Sequence, residues 1–338
     1  MKPRERVMAA LRGAPVDRPP LSFWMHHFAA ENAVDTFVAE SVRLATTFGW
    51  DYLKPQSRAQ CFAEAWDLRY QPSGERATPY TRTHAPCASA ADLRRLQPAE
   101  PAAGALGEQL AALRRIRAGV GDTPILWTVF SPLMVVPYLL EGEVGQTLAI
   151  AREEPAALEA ALAAIAHTLT GYARLAVAAG ADGLFYATNV ARRDLLSPAE
   201  CRRFQRPYDL PILEAVATAP FTALHVCGSG VLFDEFTDYP VQAVSWALAE
   251  GNPSLAEGHR RTGRAVMGGL PAKPVIATLT AEAIAARARA AVADTGGRAL
   301  LLAPDCSINP DTPEPLLHAA RAALGPDGPA GGSKPARS

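Results

Sequence analysis

The sequence lacks several things, and each absence removes a class of protein. Its net charge is only −1, from 33 Lys and Arg against 34 Asp and Glu, so no basic face for nucleic acid is expected. No apolar run reads as long enough to span a bilayer. The opening "MKPRERVMAALRGAPVDRPP" is charged where a secretory signal needs an apolar core. These absences predict a soluble cytoplasmic protein with no nucleic-acid and no membrane partner. Cysteine is scarce: Cys61, Cys87, Cys201, Cys227 and Cys306 are the whole set. An odd, scattered set is not a disulfide framework. The C-x2-C pairs of small structural zinc sites are also missing.

What is present is a rhythm. Apolar runs at 20–24, 52–56, 124–130, 182–188, 221–227, 242–248, 264–270 and 298–304 alternate with Ala- and Arg-rich helical stretches. Apolar strands alternating with helices predict parallel β/α units. Eight of them predict a closed (β/α)8 TIM barrel, with a doubly wound open sheet as the structural alternative. Residues 1–325 read as one barrel domain, with an insertion over about 57–123 that carries a hairpin near 66–85 and a helix near 105–119. The Gly/Pro/Ser-rich tail, 326–338, reads as disordered. Helix starts are signalled by Ser197-Pro198 with Glu200 three residues into the turn, by Thr312-Pro313, and by Thr280 ahead of a helix ending at Gly296-Gly297.

In such barrels the chemistry sits where the strands end. The fifth run ends "ALHVCGSG". Residues i and i+2 of a strand face the same way, so His225 and Cys227 converge on one point. Cys306, just past the eighth run, could supply a third ligand. One His and two Cys suit zinc and leave its fourth position open, the mark of a catalytic site. From the residues alone, a metal site and a buried strand end both stand, because a lone buried Cys is usually a small hydrophobe. Cys61, Cys87 and Cys201 have no partner at metal spacing and read as structural.

The other strand ends supply further candidates. His26 and His27 are catalytic candidates, of which at most one can face the mouth. Lys54 could neutralise an acidic group on a substrate or extend to the rim, and Gln56 shares its strand face. Tyr186 could donate a hydrogen bond into the mouth or pack in the core. Glu250 follows the sixth run as a further catalytic candidate. Trp24, Asn189, Gly269 and Asp305 lie where a substrate would touch. Asp305 is also placed to orient a metal ligand, and Asn189 is equally a turn former.

Four stretches, "RERVMAALRGAPVDRPPLSFW", "LHVCGSG", "AVMGGLPAKPVI" and "LLLAPDCSINPDTPEPLLHAARAA", resemble the uroporphyrinogen decarboxylase superfamily. The resemblance independently implies a (β/α)8 barrel. "AVMGGLPAKPVI" stands in place of that family's Gly-Asn-(Leu/Val)-Asp stretch. "FWMHHFAAEN" stands where true uroporphyrinogen decarboxylases carry R-Q-A-G-R, and it contains no arginine. A porphyrinogen with eight carboxylates needs guanidinium partners, so that substrate is not expected.

The closer likeness is to the zinc-dependent corrinoid-linked methyltransferases of the methylcobamide:coenzyme M type, in a less characterised subgroup. That likeness implies zinc on His225, Cys227 and Cys306, and a small-molecule thiol or acid as substrate. It also implies a methylated corrinoid as donor. The chain has no D-x-H-x-x-G corrinoid motif, so the corrinoid would arrive on a partner protein or free in solution. The branch often carries a Glu early after strand six. Here Ala247 stands near that place and Glu250 is displaced. The expected function is a zinc-dependent methyltransferase that activates a thiol. The alternative is a lyase on the same scaffold, either a decarboxylase of a small acid or a zinc-dependent C–S cleaving enzyme.

Overall fold

A computed structural model describes residues 1–325; the tail at 326–338 lies outside the described residues. The chain opens with helix α1 (Pro3–Leu11), runs extended through 20–25, forms α2 (Val34–Phe48), and runs extended again through 51–56. Then come α3 (Cys61–Glu64), an antiparallel hairpin of β1 (Arg69–Gln71) and β2 (Thr81–His84), α4 (Ala90–Arg94) and α5 (Gly104–Val120). The expected hairpin and helix are thus present, with two further short helices around them. The remainder alternates: β3 (Leu126–Phe130), α6 (Pro132–Leu139), α7 (Glu143–Glu153), α8 (Pro155–Ala178), β4 (Gly183–Thr188), α9 (Pro198–Phe204), α10 (Arg206–Glu214), β5 (Ala223–Val226), β6 (Ala243–Trp246), α11 (Leu255–Thr262), β7 (Ala265–Leu270), α12 (Ala281–Thr295), β8 (Leu300–Pro304) and α13 (Glu314–Ala322).

Strands β3 to β8 pair in parallel and in chain order. Every residue in all six is buried, which is why they read as unbroken apolar runs rather than alternating ones. The two expected N-terminal strands differ. They form isolated bridges and no ladder: Leu21 to Leu302 and Met25 to Ile308 in the first, Leu53 to Ile125 in the second. Pro20 and Pro55 have no N–H to give a ladder. The hydrogen bonds nevertheless carry the ring round. Leu302 N donates to Pro20 O (2.8 Å), Asp51 N to Leu21 O (2.9 Å), and Leu53 N to Pro124 O (2.8 Å). The result is a (β/α)8 barrel.

The fifth connection is another difference: between β5 and β6 lies only a 3-10 turn, Phe233–Phe236, and no α-helix. Ser197 and Thr280 cap their helices as their sequence positions predict. Thr312 does not. Its hydroxyl bonds Asn309 O at 2.8 Å, and the helix begins at Glu314. Against the expectation that no apolar run is long enough to span a bilayer, α8 could do so by length and composition alone. It packs along the barrel instead, with Leu158, Leu162, Ile165, Leu169 and Tyr172 buried.

A buried ion cluster replaces the missing ladder bonds. Asp51 is 1 % exposed. Its carboxylate accepts from Arg6 (2.5 Å), from Arg18 twice (2.5 and 2.9 Å) and from Leu21 N (2.9 Å). One carboxylate therefore ties α1 to both short extended segments. Asp51→Ala leaves the buried Arg18 guanidinium without its carboxylate and the Arg6 guanidinium with Asp17 alone. It should lower stability by about 3–5 kcal/mol, read as a fall in the urea midpoint; an unchanged midpoint would remove Asp51 as the anchor.

Candidate metal centre

His225 sits inside β5 and Cys227 one residue past its end. Cys227 N donates to Thr188 O at 2.8 Å, so the β4–β5 pairing continues to this residue. Alternation therefore holds, and both side chains face the mouth. Cys306 follows β8 after one residue. The three ligand atoms lie within 4.8 Å of one another, and Cys227 Sγ stands 3.6 Å from Cys306 Sγ. That separation is far too long for a disulfide. Two thiolates on a tetrahedral ion, each about 2.3 Å from it, stand about 3.8 Å apart, so the sulfurs fit a shared metal.

The imidazole fits it too. His225 pairs across the sheet with Ser245, and its Nδ1 meets Ser245 Oγ at 3.0 Å. Phe185 stacks on its ring, with centroids 5.0 Å apart. The other nitrogen, Nε2, is buried and has no hydrogen-bond partner. A buried polar atom without a partner costs free energy, and a metal ion between the ring and the two sulfurs would satisfy it. The thiols are already unequal. The contact with Cys227, then that with His225, holds Cys306 well below the usual thiol range, and the contact with Cys306 pushes Cys227 up.

Around this trio the other candidates fall into two groups. Trp24 is buried and meets Phe185 edge-on at 5.2 Å. Lys54 is 4 % exposed, and its Nζ lies 4.8 Å above the Phe185 ring and 5.8 Å from Trp24. It donates to Gln56 Oε1. An ammonium only donates, so Gln56 turns its NH2 toward His26 Nε2, 2.9 Å away. His26 Nε2 must then accept, which leaves the proton on Nδ1, 2.9 Å from both oxygens of the buried Glu31. Burial pulls Lys54 down to about 7, against the pull of nearby Cys306 and Glu31. Asp305 Oδ2 accepts from Leu248 N at 3.1 Å, its Oδ1 is buried without a partner, and burial raises its carboxyl to about 6. Asn189 is exposed and lines a cleft beside the trio.

The remaining candidates stand elsewhere. Tyr186 is corrected: its hydroxyl donates to the buried Asp209 of α10, because Phe185 takes the inward position and its neighbour must point out. Gly269 is corrected as well. Its φ of +100° breaks the alternation, and a Cβ there would lie 2.5 Å from Ala291 on α12, so it packs toward the helices. Glu250 is exposed and outside the group of converging ligand atoms; only its carbonyl is engaged, by Gly230 N. His27 Nδ1 accepts from Ala30 N at 3.2 Å and shapes its own turn.

Sequence reasoning missed four contributors. Phe185 lost to Tyr186 because a hydroxyl draws attention, although alternation admits only one of the two. Ser245, a lone polar residue in an apolar run, was the available signal for the His225 partner. Glu31 lies five residues after His26. Asn252 ties the loop after Cys227 in place, through Gly228 O (2.9 Å), Ala247 O (2.9 Å) and Val231 N (2.9 Å).

Comparison with known proteins places this geometry among enzymes. The family model for uroporphyrinogen decarboxylase (URO-D) matches residues 2–324. A uroporphyrinogen decarboxylase of Nocardia farcinica is 28% identical over 230 residues, which cover 64% of this chain and 61% of that protein. A methylcobamide:CoM methyltransferase MtaA of Methanosarcina barkeri is 30% identical over 207 residues, 60% of this chain and 59% of the relative. The chain thus spans about three fifths of the length of these curated relatives. Among solved structures, a methyltransferase from Methanosarcina mazei superposes with a TM-score of 0.82 at 24% identity, over 96% of this chain and 98% of that one. A B12-independent methionine synthase from Shewanella sp. W3-18-1 gives 0.60 at 14% identity, over 90% of this chain and 96% of that one. At these identities the two structures speak for the fold.

The exposures of the thiols yield a direct check. Cys61, Cys87 and Cys201 are buried, while Cys227 and Cys306 are partly open. Metal-free native protein should show two thiols reactive toward an aromatic disulfide reagent, and five once unfolded; loss of both fast thiols in the Cys227→Ser, Cys306→Ser double variant identifies them.

Proposed function

The chain belongs to the uroporphyrinogen decarboxylase (URO-D) family, and from that membership we propose that it is a zinc-dependent methyltransferase acting on a thiol acceptor. One observation carries the reading: the buried, unpartnered Nε2 of His225 faces two sulfurs 3.6 Å apart. His225, Cys227 and Cys306 would hold zinc with one position left for substrate, and the metal would make a bound thiol a thiolate at neutral pH. In the net reaction the acceptor exchanges S–H for S–CH3. The thiol proton leaves, the donor–CH3 bond breaks with its electrons staying on the donor, and the S–CH3 bond forms. The donor we assign is a methylated corrinoid, carried by a partner protein or free, as in the relatives named methylcobamide:CoM methyltransferases.

The protein's own groups do the rest. Ser245 fixes the imidazole, so that the nitrogen aimed at the sulfurs stays free to bind. The rings of Phe185 and Trp24 keep that side of the mouth apolar. Lys54, steadied by the Gln56–His26–Glu31 chain, receives an acidic group of the substrate. Glu250 has no part in this scheme. Tyr186 and Gly269 belong to the packing.

Two measurements test it. Elemental analysis should find about one zinc per chain, with loss on Cys227→Ala or Cys306→Ala and about 10–100-fold weaker binding in Ser245→Ala. A protein that holds no zinc after reconstitution ends the reading. The Lys54 role predicts a pH dependence. Bound carboxylate favours charged lysine and raises its pKa above the free value of about 7. Affinity for a carboxylate-bearing thiol, taken relative to an uncharged thiol so that the thiol proton cancels, should therefore be full below pH 7 and fall as pH climbs above it. Lys54→Met should lower that ratio and leave it flat over that window.

A further inference from the structure

A cleft of about 460 Å³ opens beside the metal centre and not on it. None of the three converging donors lines it. Its walls come from the β1–β2 hairpin, from α6 and from the loop after β4, and Tyr70, Tyr80, Met134, Tyr138, Val190 and Arg192 shape it. Its inner end reaches the centre through the chain itself. Val190 lies two residues beyond Thr188, whose carbonyl receives Cys227 N. Arg192 lies against Gly228, where an added Cβ would stand 2.5 Å from Arg192 Cδ. The glycine after Cys227 is what lets this side chain approach.

The cleft is aromatic, and its rings are not isolated. Tyr70 meets Tyr80 edge-on at 4.9 Å, Tyr80 meets Phe28 at 5.5 Å, and Phe28 stacks on His26 at 4.7 Å. His26 leads through Gln56 to Lys54 above Phe185, the ring that backs His225. A line of rings, bridged by Gln56 and Lys54, therefore runs from the cleft to the metal centre. The charges at the rim are already engaged. Arg192 pairs with Asp194 (2.7 Å), and Arg82 bonds the carbonyls of Leu140 and Glu141, each at 2.8 Å. What the cleft offers a ligand is a ring-lined space of the size that small organic ligands fill. A short alkyl thiol would leave most of it empty.

We propose that the thiol acceptor carries a flat aromatic body, which lies in the cleft between the hairpin and α6 while its sulfur reaches His225, Cys227 and Cys306. This rests on the zinc–thiol reading for the sulfur end, but the cleft can be tested without it. Three probes separate the parts: 2-naphthylmethanethiol, 2-mercaptoethanol and 2-naphthylmethanol, each titrated calorimetrically into zinc-loaded protein. The aryl thiol should bind at least tenfold more tightly than mercaptoethanol. Asn189→Trp, which narrows the cleft at an exposed position, and Tyr138→Ala, which removes a ring, should each collapse that ratio while zinc content stays the same. The aryl alcohol should bind weakly, lose binding in both variants, and keep it in Cys306→Ala. An aryl thiol no better than mercaptoethanol, or an advantage that survives both variants, overturns the proposal. If zinc binding fails but the alcohol still binds and is lost in the cleft variants, the aromatic site stands and only the thiol assignment falls.

Discussion

The hydrogen bond between Ser245 Oγ and His225 Nδ1 decides how the mouth of this barrel is organised. It occupies one nitrogen of a buried imidazole and leaves the other aimed at two sulfurs. The bond exists because β5 and β6 pair with His225 opposite Ser245. A slip of either strand by one residue would turn its own side chain to the opposite face of the sheet and break the pair. The packing of the whole barrel, with β3 to β8 buried along their length, therefore sets the geometry of one small site. Phe185 adds the second constraint by closing one face of the ring.

The two ends of the barrel solve different problems. At the N-terminal side, Pro20 gives the first extended segment no ladder donor, and Asp51 of the second holds both with side-chain bonds to Arg6 and Arg18. At the other end the same segments run on into His26, Lys54 and Gln56. A full ladder would have carried regular pairing further along both segments. Short pairing leaves their ends free to form a line of hydrogen bonds from buried Glu31 to buried Lys54. Each member of that line fixes the next, so the position of the lysine is determined by a carboxylate three side chains away.

How much of this was visible in the sequence depended on whether the signal was local. His225 and Cys227 could be paired because the period of a strand is two, and Cys306 joined them because barrel topology brings strand ends together. The six inner strands were visible as apolar runs. Prediction failed where one residue's conformation overrides the period, as at Gly269, or where period alone cannot choose the face, as between Phe185 and Tyr186. The partners that make the site rigid act across strands and loops: nothing beside Glu31 marks it, and Ser245 is marked only as a polar residue in an apolar run. Thr312 shows the same limit at a helix end, where a turn with Asn309 competes for the hydroxyl.

On the proposed reading, the charges at the mouth are what separate this chain from the relatives that share its family and are named decarboxylases. An eight-carboxylate porphyrinogen would bring eight negative charges to a mouth where Lys54 is buried without a carboxylate partner and the nearby buried Arg58 is already paired with Glu64 and Glu108. The Arg192 and Arg82 guanidinium groups at the cleft are held by Asp194 and by backbone carbonyls, so recruiting them would break bonds already made. Each carboxylate buried without a partner costs several kcal/mol even after relaxation. A single lysine offsets one such group. On the proposed reading the mouth would take a ligand with one acid, one sulfur and a ring, three features that Lys54, the His225–Cys227–Cys306 trio and the tyrosine-lined cleft would meet separately.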